Sequence, residues 1–157
     1  MLDEILDNIQ IVKIAKAKTR EATLKKLANT LISERWAKRG FIKALIKREK
    51  EYPTGLHTLT MGVALPHADP KWAIKPAMVV GILDEPVEFK PMDGVSENVE
   101  VYLIFMLCIP AGQSHISFLR ALTKLFSYED SLEKIHTSGD RETLVELLVE
   151  VSKNIDQ

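Results

Sequence analysis

Several features that mark common classes of protein are missing from this sequence. It contains a single cysteine, Cys108, which excludes an internal disulfide and any zinc site built from cysteines. No run of residues approaches the ~20 consecutive apolar residues that a transmembrane helix needs. The first four residues lack the basic start and apolar run of a signal peptide. These absences predict a cytoplasmic protein that does not insert into the membrane.

The motifs of nucleotide-binding proteins and of common hydrolases are absent as well. The sequence has no Gly-x-x-x-x-Gly-Lys-Ser/Thr loop, no Gly-x-Gly-x-x-Gly, no Gly-x-Ser-x-Gly and no His-Glu-x-x-His. Its acidic residues are scattered and form no obvious general acid/base pair. We therefore predict neither a cofactor nor a metal ion.

What is present suits an ordinary globular protein. A chain of 157 residues can bury a sizeable core, and 46% of its residues are hydrophobic and 27% charged. We interpret residues 1–157 as a single domain.

Short apolar runs indicate the strands. Continuous apolar runs suggest strands that are buried on both faces of a sheet. The predicted strands are residues 9–14, 63–65, 77–83 and 99–109, with 87–89 as a short edge strand and Asp93-Gly94 as a turn.

Helical periodicity occupies the segments between and after these strands. Thr19 is predicted to cap the start of one helix and Gly40 its end. A second helix covers residues 41–51, and further helices begin near Ser114 and Asp140. The pattern predicts an α/β fold with a mixed, mostly parallel sheet flanked by helices on both faces.

Positive charge is concentrated in residues 13–50, which contain thirteen Lys/Arg and three Asp/Glu. A basic region of this kind could bind nucleic acid. Aromatic residues that would stack on bases are not interleaved with these charges. We therefore predict no nucleic-acid binding and favour solvated helix faces, with a docking surface for an acidic partner protein as the alternative.

His67 is the main candidate for chemistry. Imidazole is substantially neutral and nucleophilic near pH 7, and it can accept a phosphoryl group and pass it on. Pro66 fixes the backbone just before His67, and the apolar strand that precedes both would place the ring at the rim of the sheet. This context is consistent with a nucleophile and equally with a structural histidine.

Further residues could supply donors for a phosphate. The planar guanidinium of Arg48 can bond two oxygens, although it could equally complement the dipole at the end of its helix. Thr54 and Gly55 lie in a turn whose hydroxyl and amides could face an anion. His115 is predicted at a helix start, where N–H groups bind anions, or where it could serve in capping or packing.

The other candidates carry weaker signals. His57 is either a loop histidine or a neighbour of His67. We predict structural roles for His136 and for Cys108, the latter as a core thiol. Trp72 could be a partly exposed contact for a partner protein.

Three blocks of residues, taken in order, carry a resemblance. They are Arg48-Glu49-x-x-x-Pro53-Thr54-Gly55, Gly62-Val63-Ala64-Leu65-Pro66-His67 and Gly112-x-x-His115-x-x-x-Leu119-x-x-Leu122. Together they resemble the enzyme IIA domain of the fructose–mannitol type in the phosphoenolpyruvate-dependent sugar phosphotransferase system, over nearly the whole chain. Pro53-Thr54-Gly55-Leu56 and Pro66-His67-Ala68-Asp69 look most like the galactitol branch.

The resemblance implies a phosphotransferase component with a phosphohistidine intermediate. His67 would accept a phosphoryl group on Nε2 from the phosphocarrier protein HPr and pass it to the cysteine of an enzyme IIB, which serves the membrane component IIC. Arg48 would balance the phosphate charge, and His115 would hydrogen-bond near it. A regulatory protein of the same fold, which reports its phosphorylation state by binding other proteins, is the alternative. Both readings keep His67, and neither identifies the sugar.

Overall fold

The computed structural model describes residues 2–112 and 116–155 and has a five-stranded sheet at its centre. The strands lie side by side in the order β1-β4-β5-β3-β2. Their bounds are β1 Ile9–Ile14, β2 Gly55–His57, β3 Gly62–Ala64, β4 Ala77–Phe89 and β5 Val99–Cys108.

The strand pairings confirm the predicted mixed α/β sheet and correct one detail. β1 pairs with β4 and β3 with β5 in parallel, whereas β2 with β3 and β4 with β5 are antiparallel. Parallel pairs therefore do not predominate among the described strands, because short connections join β2 to β3 and β4 to β5, and such connections produce antiparallel neighbours. Residues 87–89 are not a separate edge strand, since they continue β4 beyond a register shift.

Helices cover both faces of this sheet, as predicted. Their bounds are α1 Leu2–Asp7, α2 Arg20–Ser33, α3 Phe41–Glu51, α4 Ile116–Ser127, α5 Ser131–Ser138 and α6 Arg141–Ile155, and a short 3₁₀ helix covers Pro70–Trp72. None of the helices in the described part of the chain is both long and apolar enough to cross a membrane.

The ends of α2 confirm one predicted cap and correct the other. The hydroxyl of Thr19 accepts a hydrogen bond from the amide of Ala22 at 3.0 Å, as expected of an N-cap. Gly40 does not end α2, which stops at Ser33, but precedes α3. A Cβ at position 40 would lie 2.1 Å from the Trp72 ring, so the glycine is needed for close packing.

Two apolar layers hold the molecule together, one on each face of the sheet. α2 and α3 form one layer, while α1, α4, α5 and α6 form the other. Successive residues of β4 serve opposite layers, since Val79 packs towards α2 and α3 whereas Met78 and Val80 pack towards the other helices. This burial on both faces confirms the interpretation of the apolar run at residues 77–83.

The parallel pairing of β3 with β5 decides where the segment around His67 lies. Parallel strands end at the same edge of a sheet, which is where α/β folds tend to bind ligands. Residues 65–69 follow β3 at this edge, beside the end of β5.

Candidate active site

His67 lies three residues beyond the end of β3, on a segment anchored to the sheet. The carbonyl of Pro66 accepts a hydrogen bond from the amide of Leu107 in β5 at 3.0 Å. Nδ1 of the half-buried His67 ring lies 2.8 Å from the carbonyl oxygen of Leu65. Because a carbonyl oxygen only accepts, Nδ1 carries the hydrogen, and in the neutral ring Nε2 holds the nucleophilic lone pair.

The ring of His67 lines a small cleft. Among the described residues, the others that line it are Ala68, Leu107, Ile109 and Leu119, which are all apolar. The cleft has a volume of about 40 Å³, far below the ~300–1,000 Å³ typical of small-molecule sites. It therefore places apolar surface beside the imidazole without enclosing a molecule the size of a sugar.

The turn at Thr54 and Gly55 differs from the expectation that its donors face an anion. The amide of Thr54 donates to Glu49 Oε1 at 2.9 Å, and its hydroxyl donates to Oε2 at 2.9 Å. The amide of Gly55 donates to the carbonyl of Lys90 at 3.0 Å. Buried polar groups require partners, and these donors find theirs inside the protein. The donors that were predicted to stabilise a phosphate at Thr54 and Gly55 therefore bond to Glu49 and Lys90 instead.

Glu49 is the residue of this site that sequence reasoning missed. It is only 5% exposed, and burial raises the pKa of its carboxyl, while the Thr54 hydrogen bonds and the charges of Arg20 and Arg48 act in the opposite direction. A glutamate between Arg48 and Lys50 suggests a solvated face. The available signal was its spacing, since position 49 continues the i, i+4 series of the buried helix stripe formed by Phe41 and Leu45.

Arg48 is exposed in the last turn of α3, adjacent to Glu49. Its guanidinium carbon lies 5.3 Å from the centre of the Tyr52 ring, a cation–π contact that restricts the side chain while leaving its N–H groups at the surface. His115 lies outside the described residues, as does the predicted start of its helix at Ser114; α4 is described from Ile116.

His57 lies away from His67. In the antiparallel β2–β3 pair, Gly55 is opposite Ala64 and His57 is opposite Gly62, so His57 lies at the end of the pair remote from the His67 segment. Its Nε2 lies 3.0 Å from the carbonyl oxygen of Glu97. His57 is therefore not a loop histidine as predicted, because it is the last residue of β2, and its place in the strand pair is remote from the His67 segment.

His136 and Cys108 have the structural roles that were predicted. Nε2 of His136 lies 2.7 Å from the carbonyl oxygen of Leu83, and its ring packs edge-on against Tyr102. Cys108 is buried, its Sγ donates to the carbonyl of Trp36 at 3.3 Å, and burial raises its pKa to about 12. Such a thiol does not form the reactive thiolate near neutral pH.

Trp72 is half-buried, because part of its ring packs against other residues of the chain. Its ring packs closely on Gly40, and the ammonium of Lys71 lies 5.3 Å from the ring centre. Within residues 2–112 and 116–155, no group of three or more His, Cys, Asp or Glu side chains is arranged to hold a metal ion.

Comparison with known proteins identifies one family. The family described as "Phosphoenolpyruvate-dependent sugar phosphotransferase system, EIIA 2" matches residues 4–151. A fructose-specific EIIA component of the phosphotransferase system from Haloferax volcanii is 31% identical over 112 residues, which are 70% of this chain and 68% of that protein. A nitrogen regulatory protein from Pseudomonas aeruginosa is 27% identical over 137 residues, covering 85% of this chain and 84% of its own length.

Two further comparisons give a relative with a named sugar and a solved structure with the same fold. A galactitol-specific EIIA component from Escherichia coli O6:H1 is 28% identical over 71% of this chain and 70% of its own. The solved complex of enzyme IIAMTL with phosphorylated enzyme IIBMTL from Escherichia coli contains a chain of the same fold. That chain has a TM-score of 0.74 and 21% identity, with coverage of 90% of this chain and 99% of its own.

Proposed function

Because this chain belongs to the EIIA 2 family of the phosphoenolpyruvate-dependent sugar phosphotransferase system, we propose that it carries a phosphoryl group on His67 between two proteins. The observation that carries this proposal is the hydrogen bond from Nδ1 of His67 to the carbonyl of Leu65. It leaves the lone pair of the neutral ring on Nε2, beside the cleft at the rim of the sheet.

The proposed transfer is a pair of displacements at phosphorus. The Nε2 lone pair of His67 attacks the phosphoryl group carried by a histidine of HPr, and the N–P bond of the donor breaks with its electron pair returning to the donor imidazole. The thiolate of an enzyme IIB cysteine then attacks the same phosphorus, and Nε2 leaves with the electron pair. The chain is thereby restored for another cycle.

Arg48 and His115 are the proposed helpers in this transfer. A guanidinium at the surface can bond two phosphoryl oxygens and offset the charge that they share in the transition state. Arg48 has such a position at the end of α3. For His115 the proposal rests on the sequence block that contains it.

The small apolar cleft supports a partner protein, rather than a sugar, as the molecule that meets His67. We propose HPr as the donor and enzyme IIB as the acceptor, with the membrane component IIC served indirectly and the reaction taking place in the cytoplasm. For the sugar we propose galactitol or a related compound. The support comes from the residues around Thr54 and His67 and from the galactitol-specific component that is 28% identical.

A regulatory function is the second candidate. The similarity to the nitrogen regulatory protein extends over 137 residues, a longer stretch than the 112 residues shared with the fructose-specific component. Such a protein would also be phosphorylated on His67 but would act by binding other proteins. Onward transfer to an enzyme IIB cysteine separates the two candidates.

The test incubates the protein with phosphoenolpyruvate, enzyme I and HPr and measures an acid-labile phosphoryl adduct. We expect His67→Ala to abolish labelling and His57→Ala, a matched histidine at the remote end of the β2–β3 pair, to leave it intact. Normal labelling of His67→Ala would overturn the proposal. Addition of a IIB protein then shows whether the label moves on to its cysteine.

A further inference from the structure

A chain of hydrogen bonds connects the buried carboxylate of Glu49 to the ring of His67. The Thr54 hydroxyl donates to Glu49, with Oγ1 at 3.0 Å and 2.9 Å from the two carboxylate oxygens. The same Oγ1 accepts from the amide of Leu65 at 3.2 Å. The carbonyl of Leu65 then accepts from Nδ1 of His67 at 2.8 Å. Glu49, Thr54 and Leu65 are all buried, so the bonds among these three residues are shielded from competing water.

We propose that Glu49 is a positioning residue for His67, acting through the hydroxyl of Thr54 and the backbone of Leu65. This inference rests on the proposed function of His67 as the phosphoryl carrier. It assigns Thr54 a part in that function different from direct contact with phosphate.

The connection acts through geometry. The amide that bonds to Thr54 and the carbonyl that bonds to His67 belong to different peptide groups, which the Cα of Leu65 separates, so no conjugated path carries charge between them. Thr54 holds Leu65 on one side, and the amide of Leu107 holds the carbonyl of Pro66 on the other. The Leu65 carbonyl lies between these two anchors, and its direction determines both the orientation of the ring and the tautomer.

When Glu49 is ionised, its carboxylate sets the direction of the hydrogen bonds in the chain. An ionised carboxylate accepts hydrogen bonds and cannot donate them, so the Thr54 hydroxyl must donate to it. The oxygen lone pairs of Thr54 are then left for the amide of Leu65. A glutamine in the same place could donate as well as accept, and it would make the direction of the Thr54 hydroxyl ambiguous.

A nucleophile held in this way is aligned before its partner arrives. A misplacement of about 1 Å can slow a reaction by roughly 10²-fold, because an in-line displacement depends on the direction of the attacking lone pair. The expected effect of losing the chain lies in the turnover number rather than in the affinity for the phosphorylated donor, because Glu49 and Thr54 are buried beneath the surface on which a protein would dock.

The experiment measures the rate of phosphoryl transfer from phosphorylated HPr to Thr54→Val, Thr54→Ser and Glu49→Gln in the full chain. Thr23→Val is the matched control, since Thr23 is also buried and its hydroxyl donates to a backbone carbonyl, that of Thr19, at 2.7 Å. We expect Thr54→Val and Glu49→Gln to lower kcat about 10- to 100-fold with KM little changed. Thr54→Ser should recover most of the rate, and Thr23→Val should keep it.

A second readout is independent of transfer. Nitrogen-15 NMR at pH 9 reports which ring nitrogen of His67 carries the hydrogen, and we expect the Nδ1–H form to dominate in the wild type and to lose that dominance in Thr54→Val and Glu49→Gln. If Thr54→Val fails to fold, Glu49→Gln decides in both measurements.

The possible failures are distinguishable. A wild-type protein that phosphorylated HPr does not label contradicts the proposed function, and the tautomer measurement still decides the positioning role. Normal labelling with unchanged kcat and tautomer in Thr54→Val or Glu49→Gln overturns the positioning role alone. An equal loss of rate in Thr23→Val would also overturn it, because the effect would then follow from general destabilisation.

Discussion

The β2–β3 pair has two ends that differ sharply in their surroundings. At one end, Gly55 and Ala64 are buried, and the chain continues from Ala64 to the anchored segment of His67. At the other end, His57, Leu59 and Thr60 are exposed, and the side chain of Leu59 is fully accessible to solvent. The same short pair of strands therefore places one histidine in a rigid, partly apolar setting and another in solvent.

The two histidines also bond to backbone carbonyls through different ring nitrogens. His57 bonds a backbone carbonyl through Nε2, as His136 does elsewhere, whereas His67 bonds its carbonyl through Nδ1. Since the bonded nitrogen carries the hydrogen, the lone pair of the neutral ring is on Nε2 only in His67 among these three. A nearby carbonyl thus decides which nitrogen of a histidine can act as a nucleophile, and burial decides how firmly that choice is held.

The largest effect on the rate of phosphoryl transfer is expected from a change of Arg48, which lies next to Glu49. Arg48→Ala should slow phosphoryl transfer to His67 by about 10²-fold, because the variant lacks the proposed donor to the shared phosphoryl group. The melting temperature should stay close to that of the wild type, since Arg48 is exposed. Lys47→Ala is the control, as Lys47 is an exposed cation on the same helix. An equal loss of rate in both variants would reduce the role of Arg48 to general surface charge.

Alanine variants of Gly55 and Gly62, which lie at opposite ends of the β2–β3 pair, test whether the buried end matters more for phosphoryl transfer. A Cβ at Gly55 would lie 2.5 Å from the carbonyl oxygen of Lys90, and one at Gly62 would lie 2.2 Å from that of Glu100. Both changes to alanine should destabilise the protein by roughly 1–3 kcal/mol through overpacking. Gly55→Ala should also slow phosphoryl transfer, because it displaces Thr54, and Gly62→Ala should slow it less.

Chemical denaturation and transfer rates of the two glycine variants, measured where both remain folded, check this expectation. If Gly62→Ala slowed transfer more than Gly55→Ala at equal stability, the two ends would not differ in the way that their burial indicates.

Because Glu49 is buried, we expect the free energy of unfolding to depend on pH. Burial raises the pKa of Glu49 above its ordinary value of 4.5, so the folded protein binds a proton there more tightly than the unfolded chain. Stability from this group is therefore present below about pH 4.5 and is lost as the pH rises through the raised pKa. The free energy of unfolding of Glu49→Gln should accordingly increase relative to that of the wild type as the pH rises from 4 to 8.

Urea denaturation of both proteins across this range is the measurement. A wild type that gained stability relative to Glu49→Gln with rising pH would show that Thr54, Arg20 and Arg48 outweigh the cost of burial.

The smallest effect is spectroscopic and leaves stability and rate untouched. In the neutral wild-type protein, nitrogen-15 shifts should show the hydrogen on Nδ1 of His67 but on Nε2 of His57 and of His136. The exposed His57 should show the weaker preference, because water competes for its hydrogen bond. The same nitrogen protonated in all three rings would remove the distinction between the two ends.

Much of the fold followed from local patterns in the sequence. The apolar runs of β1, β4 and β5 and the bounds of α3 agree with the prediction, because burial on two faces or on one helix stripe leaves a periodic trace. The short elements α1 and β2 left too few residues for a period to show. Gly40 was assigned to the wrong helix because its reason lies in the ring of Trp72, 32 positions later in the chain.

The candidate site divides in the same way. By itself, the sequence determined the family and the choice of His67, since ordered blocks around Arg48, His67 and His115 are readable without coordinates. Only the tertiary structure decided that Thr54 faces inward, that Glu49 is buried and that His67 bonds the Leu65 carbonyl through Nδ1. The reason is physical: the partners of a buried hydrogen bond are chosen by the packing of distant segments, and the residues alone do not specify which donor meets which acceptor.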